Sequence, residues 1–452
     1  MKRFIDTIKN IWKIEDLRNR ILFTLGIVFI YRLGSYVMLP GIDAQAYRQA
    51  SSGSTGGLLG LINLFAGGGF SRASIFALGI MPYISASIAM QLLALAVPSF
   101  ARMQKEGESG RRKINQYTRY LTVIVTAFQA SGYFVYLRSM SESGQGTDFI
   151  TAPIGLFWFI CVLMLTAGTL VVMWMGEKIT DKGIGNGISF IIMVGIVAAL
   201  PAAVINEFNA RVNDSTGGGL VPFVLELGFL VLIVMASILL VQGTRRIPVQ
   251  YAKRIMGNKQ YGGNRNYIPL KVNGAGVMPI IFAQALMFIP GTIQQFFPDS
   301  QSSFIAQLND FTSPTYNIIY GLLIIVFTYF YTAITINPTQ IADEMKKNGG
   351  FVPGVKPGKK TAEFIDNILS RITLPGSIFL ALVAIMPVTT TAFGVGQQFA
   401  SFFGGTSLLI VVGVILDTLQ QVESHLLMRH YDGLMKSGRI KGRTSLPVGM
   451  QQ

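Results

Sequence analysis

The chain has one cysteine and two histidines among 452 residues, and charged side chains make up only 13% of it. A lone cysteine excludes any disulfide within the chain, and Cys161 sits inside an apolar run, where it reads as a structural thiol. His425 and His430 lie at or beyond the end of the last apolar run, so the sequence offers no metal-ligand cluster of useful spacing. Acidic residues are also scarce, 22 against 37 basic ones. Ten-residue segments of alternating hydrophobicity are not seen, which excludes an outer-membrane barrel. Paired carboxylates and a nucleophile with its base are missing too, so the chain carries no constellation for catalysis and no call for a cofactor.

What is there is apolar. Hydrophobic residues make up 51% of the chain, and the mean hydropathy is +0.49. They fall in runs of about 20, the length that crosses a hydrocarbon core of roughly 30 Å at about 1.5 Å per helical residue. Ten such runs predict helices near 21–40, 76–97, 118–137, 154–175, 184–204, 220–242, 275–297, 316–337, 372–391 and 405–427. The fold class is therefore all-α and integral to a membrane. The basic stretch before the first run resembles the start of a signal peptide, but that run contains Arg32 and Pro40 and lacks a small-x-small cleavage site, so it reads as a retained span.

The net charge of +15 is distributed by loop. Ten spans put every second connection on one side. That side holds the six cations before the first span, the group Arg102 to Lys113, Lys178 with Lys182, and the cations of 243–272, 339–371 and the tail. The other side carries only Arg48, Arg72, Arg138 and Arg211. The positive-inside rule then places both termini in the cytoplasm. The inside connections 243–272 and 339–371 are longer than a turn needs. The first has Ile247-Pro248-Val249 and Tyr267-Ile268-Pro269-Leu270 around a Gly/Asn-rich turn, which suits either a projecting hairpin-like arm or a basic loop lying on anionic lipid.

One apolar segment is too short to span. Leu58 to Phe65 is bracketed by Gly56-Gly57 and Gly67-Gly68-Gly69, which permit sharp reversals. It reads either as a small mobile helix able to stop a pore or as an outer loop packed on the bundle. Ionisable groups within spans are few, chiefly Arg32, Glu226 and Asp417, and a structural polar contact explains Arg32 and Glu226 as well as a functional one. Gly183-Ile184-Gly185-Asn186-Gly187 lacks the Lys and Ser/Thr that end a phosphate loop, so it reads as a tight turn opening the fifth span.

Several strings carry a resemblance. They are Ser71 to Ile88 (SRASIFALGIMPYISASI), Lys105 to Lys113 (KEGESGRRK), Gly183 to Ser189 (GIGNGIS), Tyr251-Ala252-Lys253-Arg254, Phe351-Val352-Pro353-Gly354 and Gly404 to Ile410 (GGTSLLI). On these the chain resembles the SecY family, the central subunits of the bacterial Sec protein-conducting channel, from about Arg20 to Gly442. The resemblance implies two pseudo-symmetric five-helix halves, 21–204 and 205–427, between a cytoplasmic segment 1–20 and a tail 428–452. It implies a bacterial inner-membrane location, partner subunits SecE and SecG, the SecA motor ATPase, the ribosome, and signal peptides and nascent chains as substrates.

By motif, the resemblance puts a pore ring on Ile80, Ile84, Ile188, Ile192, Ile281 and Ile410. It puts a re-entrant plug near 58–74, including Leu58, Leu61, Ile62, Asn63, Phe65 and Arg72. A lateral gate is implied between the second, third, seventh and eighth helices, with Gln91 and Asn186 as polar neighbours. Partner-docking loops are implied at Arg245, Arg246, Lys253, Arg254, Lys356, Lys359 and Lys360. Lys356 stands where many relatives have arginine, keeping the charge but losing the planar donor fork. The function implied is passage of unfolded polypeptides and sideways release of membrane segments into lipid. A secondary transporter of a small solute is the other class that shares many spans and broken helices.

Overall fold

The computed structural model describes residues 12, 14–51, 63, 65–143, 149–213, 219–251, 254–256, 259–261, 265–296, 307–308, 310 and 312–436. The helices are α1 (Glu15–Gly34), α2 (Ala44–Ser51), α3 (Met81–Ala96), α4 (Pro98–Lys105), α5 (Glu108–Ser143), α6 (Ile154–Lys182), α7 (Gly187–Asn213) and α8 (Leu220–Gln242). Strands β1 (Thr244–Tyr251), β2 (Arg254–Met256), β3 (Lys259–Tyr261) and β4 (Arg265–Lys271) follow. Then come α9 (Met278–Phe296), α10 (Pro314–Thr335), α11 (Pro338–Lys347), β5 (Gly350–Phe351), α12 (Lys359–Ala392), α13 (Gln397–Ala400) and α14 (Gly405–Lys436).

A helix occupies each of the ten apolar stretches. Among the described residues, seven helices are long and apolar enough to cross a membrane, and eight if α3 and α4, bent by 103° at Val97-Pro98, count as one broken span. Helix α1 fails that test on charge, because Arg18, Arg20 and Arg32 fall in any window long enough to cross. Its charges suit its dipole, with Glu15 and Asp16 in the first turn and Arg32 in the last. Hydroxyls inside the apolar helices are satisfied locally. In α5, Thr118, Thr122 and Thr126 each donate to the carbonyl four residues back, at 2.9, 2.7 and 2.6 Å.

Several helices outrun their apolar stretches. Helix α7 continues through Pro201 to Asn213, past the predicted end at 204. Its last turns hold Glu207 and Arg211, four residues apart and paired at 3.1 Å, which supports helix where hydropathy has already faded.

The helix packing repeats. In the first five long helices, α1 packs on α6, α3 on α5, α5 on α6, and α6 on α7. In the second five, α8 packs on α12, α9 on α10, α10 on α12, and α12 on α14. These are the same four pairings in the same order. The two sets meet along two seams: α7 against α8 and α14, and α5 against α9.

At one end of the bundle, β1 and β4 form an antiparallel hairpin with Ile247 opposite Ile268 and Arg245 opposite Leu270. Strand β5, from the other long connection, pairs with β1 through Gln250 and Phe351. Ile247, Val249, Leu270, Met345, Val352, Ile365 and Leu369 then close a satellite core beneath both. The hairpin reading of 243–272 therefore holds, and the two connections form one body instead of two separate arms.

Candidate functional site

Four helices converge on a small apolar cavity midway along the bundle. Ile84 of α3, Ile192 of α7, Ile281 of α9 and Ile410 of α14 line it together with Phe65, Met81, Ser85 and Gln284. Its volume is about 30 Å³, room for about one or two waters and far too little for a hydrated chain. Ile80 is buried and Ile188 half-buried, and both pack in the core that surrounds this waist. Two of the lining isoleucines come from each set of five helices, so the waist exists only where the sets meet.

Next to the waist, on the side away from the hairpin, lies a second cavity of about 290 Å³ that shares Gln284 with the first. Arg32, Asn63, Arg72, Gln397, Thr406 and Ser407 are among its lining residues. Residues 65–80 form part of its wall beside α1 and α7, and α1, α5, α6 and α7 all hold them. Arg32 donates to the Gly67 carbonyl at 2.8 Å, and Tyr133 donates to the Phe70 carbonyl at 2.8 Å. Within the segment, Asn63 Oδ1 accepts from Ser71 N at 2.9 Å. Phe65 is buried against the waist. Arg72 lies over the Tyr36 ring at 4.2 Å.

Two glycines make that seating possible. A Cβ on Gly195 of α7 would stand 2.9 Å from the Phe65 carbonyl oxygen and 3.2 Å from Gly67 N. A Cβ on Gly168 of α6 would collide with the Ile75 carbonyl oxygen. Of the predicted stopper residues, Leu58, Leu61 and Ile62 lie outside the described residues.

Gln91 and Asn186, expected as polar neighbours, each bond within their own helix. Gln91 Nε2 donates to Ser87 Oγ at 3.4 Å. Asn186 Oδ1 accepts from Ile188 N and Ser189 N at 3.2 and 3.4 Å, which is the work of an N-cap. The turn that Asn186 belongs to is anchored from three helices. Ile184 N donates to Thr24 Oγ1 at 3.2 Å, Gly187 N to Thr180 Oγ1 at 2.9 Å, and Gly185 N to Gln421 Oε1 at 2.9 Å.

The scattered ionisable groups find partners that sequence reasoning did not name. Arg211 of α7 bonds Glu207 at 3.1 Å, Glu226 of α8 at 2.7 Å and the Gly394 carbonyl at 2.7 Å. Gly396 N donates to the other oxygen of Glu207 at 2.9 Å. The Glu207-Arg211 spacing was visible in the sequence, but nothing in it pointed to Glu226 or to the 393–396 turn. Asp417 is exposed.

On the hairpin body, Arg245, Arg246, Lys356, Lys359 and Lys360 are all exposed. Lys360 pairs with Glu363 at 3.5 Å. Arg254 lies in β2, and Lys253 falls outside the described residues.

Comparisons with known proteins point to one family. The family model for SecY matches residues 74–419. The protein translocase subunit SecY of Streptomyces scabiei is 44% identical over 435 residues, spanning 94% of this chain and 98% of that protein. A solved protein-conducting channel superposes with a TM-score of 0.61 at 15% identity, over 94% of this chain and 95% of that one. Sec61 in the canine ribosome-channel complex from the endoplasmic reticulum superposes with a TM-score of 0.57 at 14% identity, over the same shares. The structural matches speak for the fold, and the match in sequence over nearly the whole length speaks for descent: this chain belongs to the SecY family.

Proposed function

We propose that this chain is the pore subunit of a protein translocase, a passive channel for unfolded, signal-bearing polypeptides with no catalysis and no cofactor of its own. The observation that carries the reading is the waist, where four flexible apolar side chains from both sets of helices close on about 30 Å³ directly against Phe65. Apolar walls that close on so little space keep water out, and a constriction of this kind gates by wetting. Isoleucines can also yield around a passing chain of varied side chains without offering it a fixed polar contact.

In this reading all ten long helices span the bacterial inner membrane, as two pseudo-symmetric halves with both termini in the cytoplasm. The repeated packing order supports the halves, and the loop charges support the orientation. Ile80, Ile84, Ile188, Ile192, Ile281 and Ile410 form the ring, and the segment near 58–74 is the plug. Helices α3 and α5 part from α9 and α10 to admit a signal sequence, an apolar helix that partitions to lipid by its own hydrophobicity. Gln91 and Asn186 flank that gate.

The driving force comes from partners. The exposed cations of the hairpin body, Arg245, Arg246, Lys356, Lys359 and Lys360 with Lys253 and Arg254 nearby in sequence, dock the ribosome through its RNA phosphates and also dock the SecA motor. SecE and SecG complete the complex. Family membership leaves the solute-transporter reading without support.

The test is a photo-crosslinking side chain at Ile84 with a preprotein jammed midway by a folded block at its tail. An adduct with the signal-bearing preprotein and none with its signal-less control is the expected result. No adduct in membranes where translocation proceeds would overturn the ring assignment.

A further inference from the structure

The larger cavity has a charge imbalance that the pore reading does not use. Arg32 and Arg72 are both in its wall, and among the described residues no aspartate or glutamate is. The two guanidiniums share one ring, standing 5.8 and 4.2 Å from the centre of Tyr36. Among the described residues, Arg32 gives one hydrogen bond, to the Gly67 carbonyl. Arg72 Nη1 is buried with no acceptor among the described residues. Its guanidinium lies flat on the chain at Gly68, where a Cβ would stand 3.2 Å from Nη2. Residues 52–62 and Leu64, the rest of the same segment, contain no acid that would supply a counter-charge.

Arg32 and Arg72 are part-buried, and the Arg72 Nη1 atom is shut off from solvent; a cation desolvated in this way is costly to leave unpaired. The ring face and one carbonyl offset part of that cost for two cations, and they leave a net positive wall. The other polar side chains of the cavity are amides and hydroxyls with no formal charge, and the amide groups of Asn63 and Gln397 can donate. A volume of about 290 Å³ accommodates a small ion with part of its water shell. At rest the waist closes the route by which a polypeptide carboxylate would arrive.

We infer that this cavity is a binding site for a small inorganic anion of the chloride class, held by Arg72 with Arg32 beside it. The anion offsets one of the two positive charges and lies between cations on opposite partners, one on α1 and one on the segment that seats against the waist. It therefore ties the segment to the helix bundle. That consequence rests on the plug reading, whereas the binding site does not.

The experiment uses the complete translocase complex in lipid nanodiscs. Thermal unfolding is followed as chloride replaces gluconate at fixed ionic strength. Above the dissociation constant, the ratio of folded to unfolded complex rises about tenfold per tenfold rise in chloride. The dependence is lost in Arg72→Gln. Independently, crystals or frozen samples of the unmodified complex soaked in bromide show bromide beside the Arg72 guanidinium, which covers the case in which the variant does not fold. A wild-type complex indifferent to chloride overturns the proposal, and so does an undiminished dependence in Arg72→Gln or bromide absent from the cavity. Chloride dependence that vanishes in Arg72→Gln, with resting ion leakage the same in both anions, supports the site and removes only the plug reading.

Discussion

The two seams between the helix sets are built from different chemistry. Along α7, contact with α8 and the 393–396 turn runs through Arg211, whose side chain is 16% exposed between Glu207 at 4% and Glu226 at 12%. Toward the other end of the same seam, Gln421 of α14 accepts from the buried Gly185 N–H at 2.9 Å. The opposite seam joins α5 to α9, and α9 has no charged residue anywhere along Met278–Phe296, so no ion pair can form across it. Separating the first seam strands buried charge. Parting the second exposes mostly apolar surface, and in a membrane lipid or an apolar signal helix can cover it at little cost. The comparison teaches that, in the channel reading proposed above, one side of the molecule serves as a hinge and the other as a mouth.

Four substitutions break or sharpen that contrast. The largest effect is expected at the waist between the seams. Ile84→Lys puts a charge into about 30 Å³ of apolar space, where the effective penalty is several kcal/mol per ion. The waist should wet, and the resting single-channel conductance should rise from the closed baseline. An intact seal would mean that Ile84 does not line the pore.

Next comes the charged seam. Arg211→Ala leaves Glu207 and Glu226 buried without their cation, and removing one partner of a buried pair costs about 3–5 kcal/mol. Thermal unfolding of the complex measures the loss. A change below about 1 kcal/mol, the scale of exposed pairs, would erase the distinction between the seams.

Gly195→Ala has a smaller expected effect. Its new Cβ would stand 2.9 Å from the Phe65 carbonyl oxygen, and overpacking of this kind costs about 1–3 kcal/mol. The segment against the waist should shift, so ion leakage at rest should increase while the unfolding temperature changes little. Unaltered leakage would argue that residues 65–68 do not contribute to the seal.

The smallest effect is expected from Gln421→Ala, which leaves the Gly185 N–H without its acceptor at a cost of about 1 kcal/mol. Its readout is faster hydrogen exchange at Gly185. Exchange at the wild-type rate would show that this end of the seam is held by packing alone.

Much of this was legible beforehand, and the reasons are local. Helix positions followed from apolar run length, yet α5 and α12 extend well beyond their predicted 118–137 and 372–391, to Glu108–Ser143 and Lys359–Ala392. Hydropathy sees only the part of a helix that faces lipid or core, and the polar ends of these helices lie outside it. The hairpin at 243–272 was readable because β-branched pieces flank a Gly/Asn turn. The pairing of β1 with β5 was not, since it joins residues about a hundred positions apart. The second span starts late, at Met81, because residues 66–80 form a chain of turns, with Gly67, Gly68 and Gly79 at positive φ.

The sequence by itself determined that the chain is a bundle of apolar helices, that its cations collect on every second connection, and that one apolar segment is too short to span. Each of these depends on composition within a window of residues, and run length and charge are properties of such a window. Only the tertiary structure decided that Ile84, Ile192, Ile281 and Ile410 meet at one waist. It alone gave Arg211 the carboxylate of Glu226 and the carbonyl of Gly394, and it left Arg32 and Arg72 facing one cavity with no acid among the described residues. Those are contacts between helices distant in sequence, and an isoleucine or an arginine in an apolar run looks the same whether it faces lipid, a neighbour or a pore.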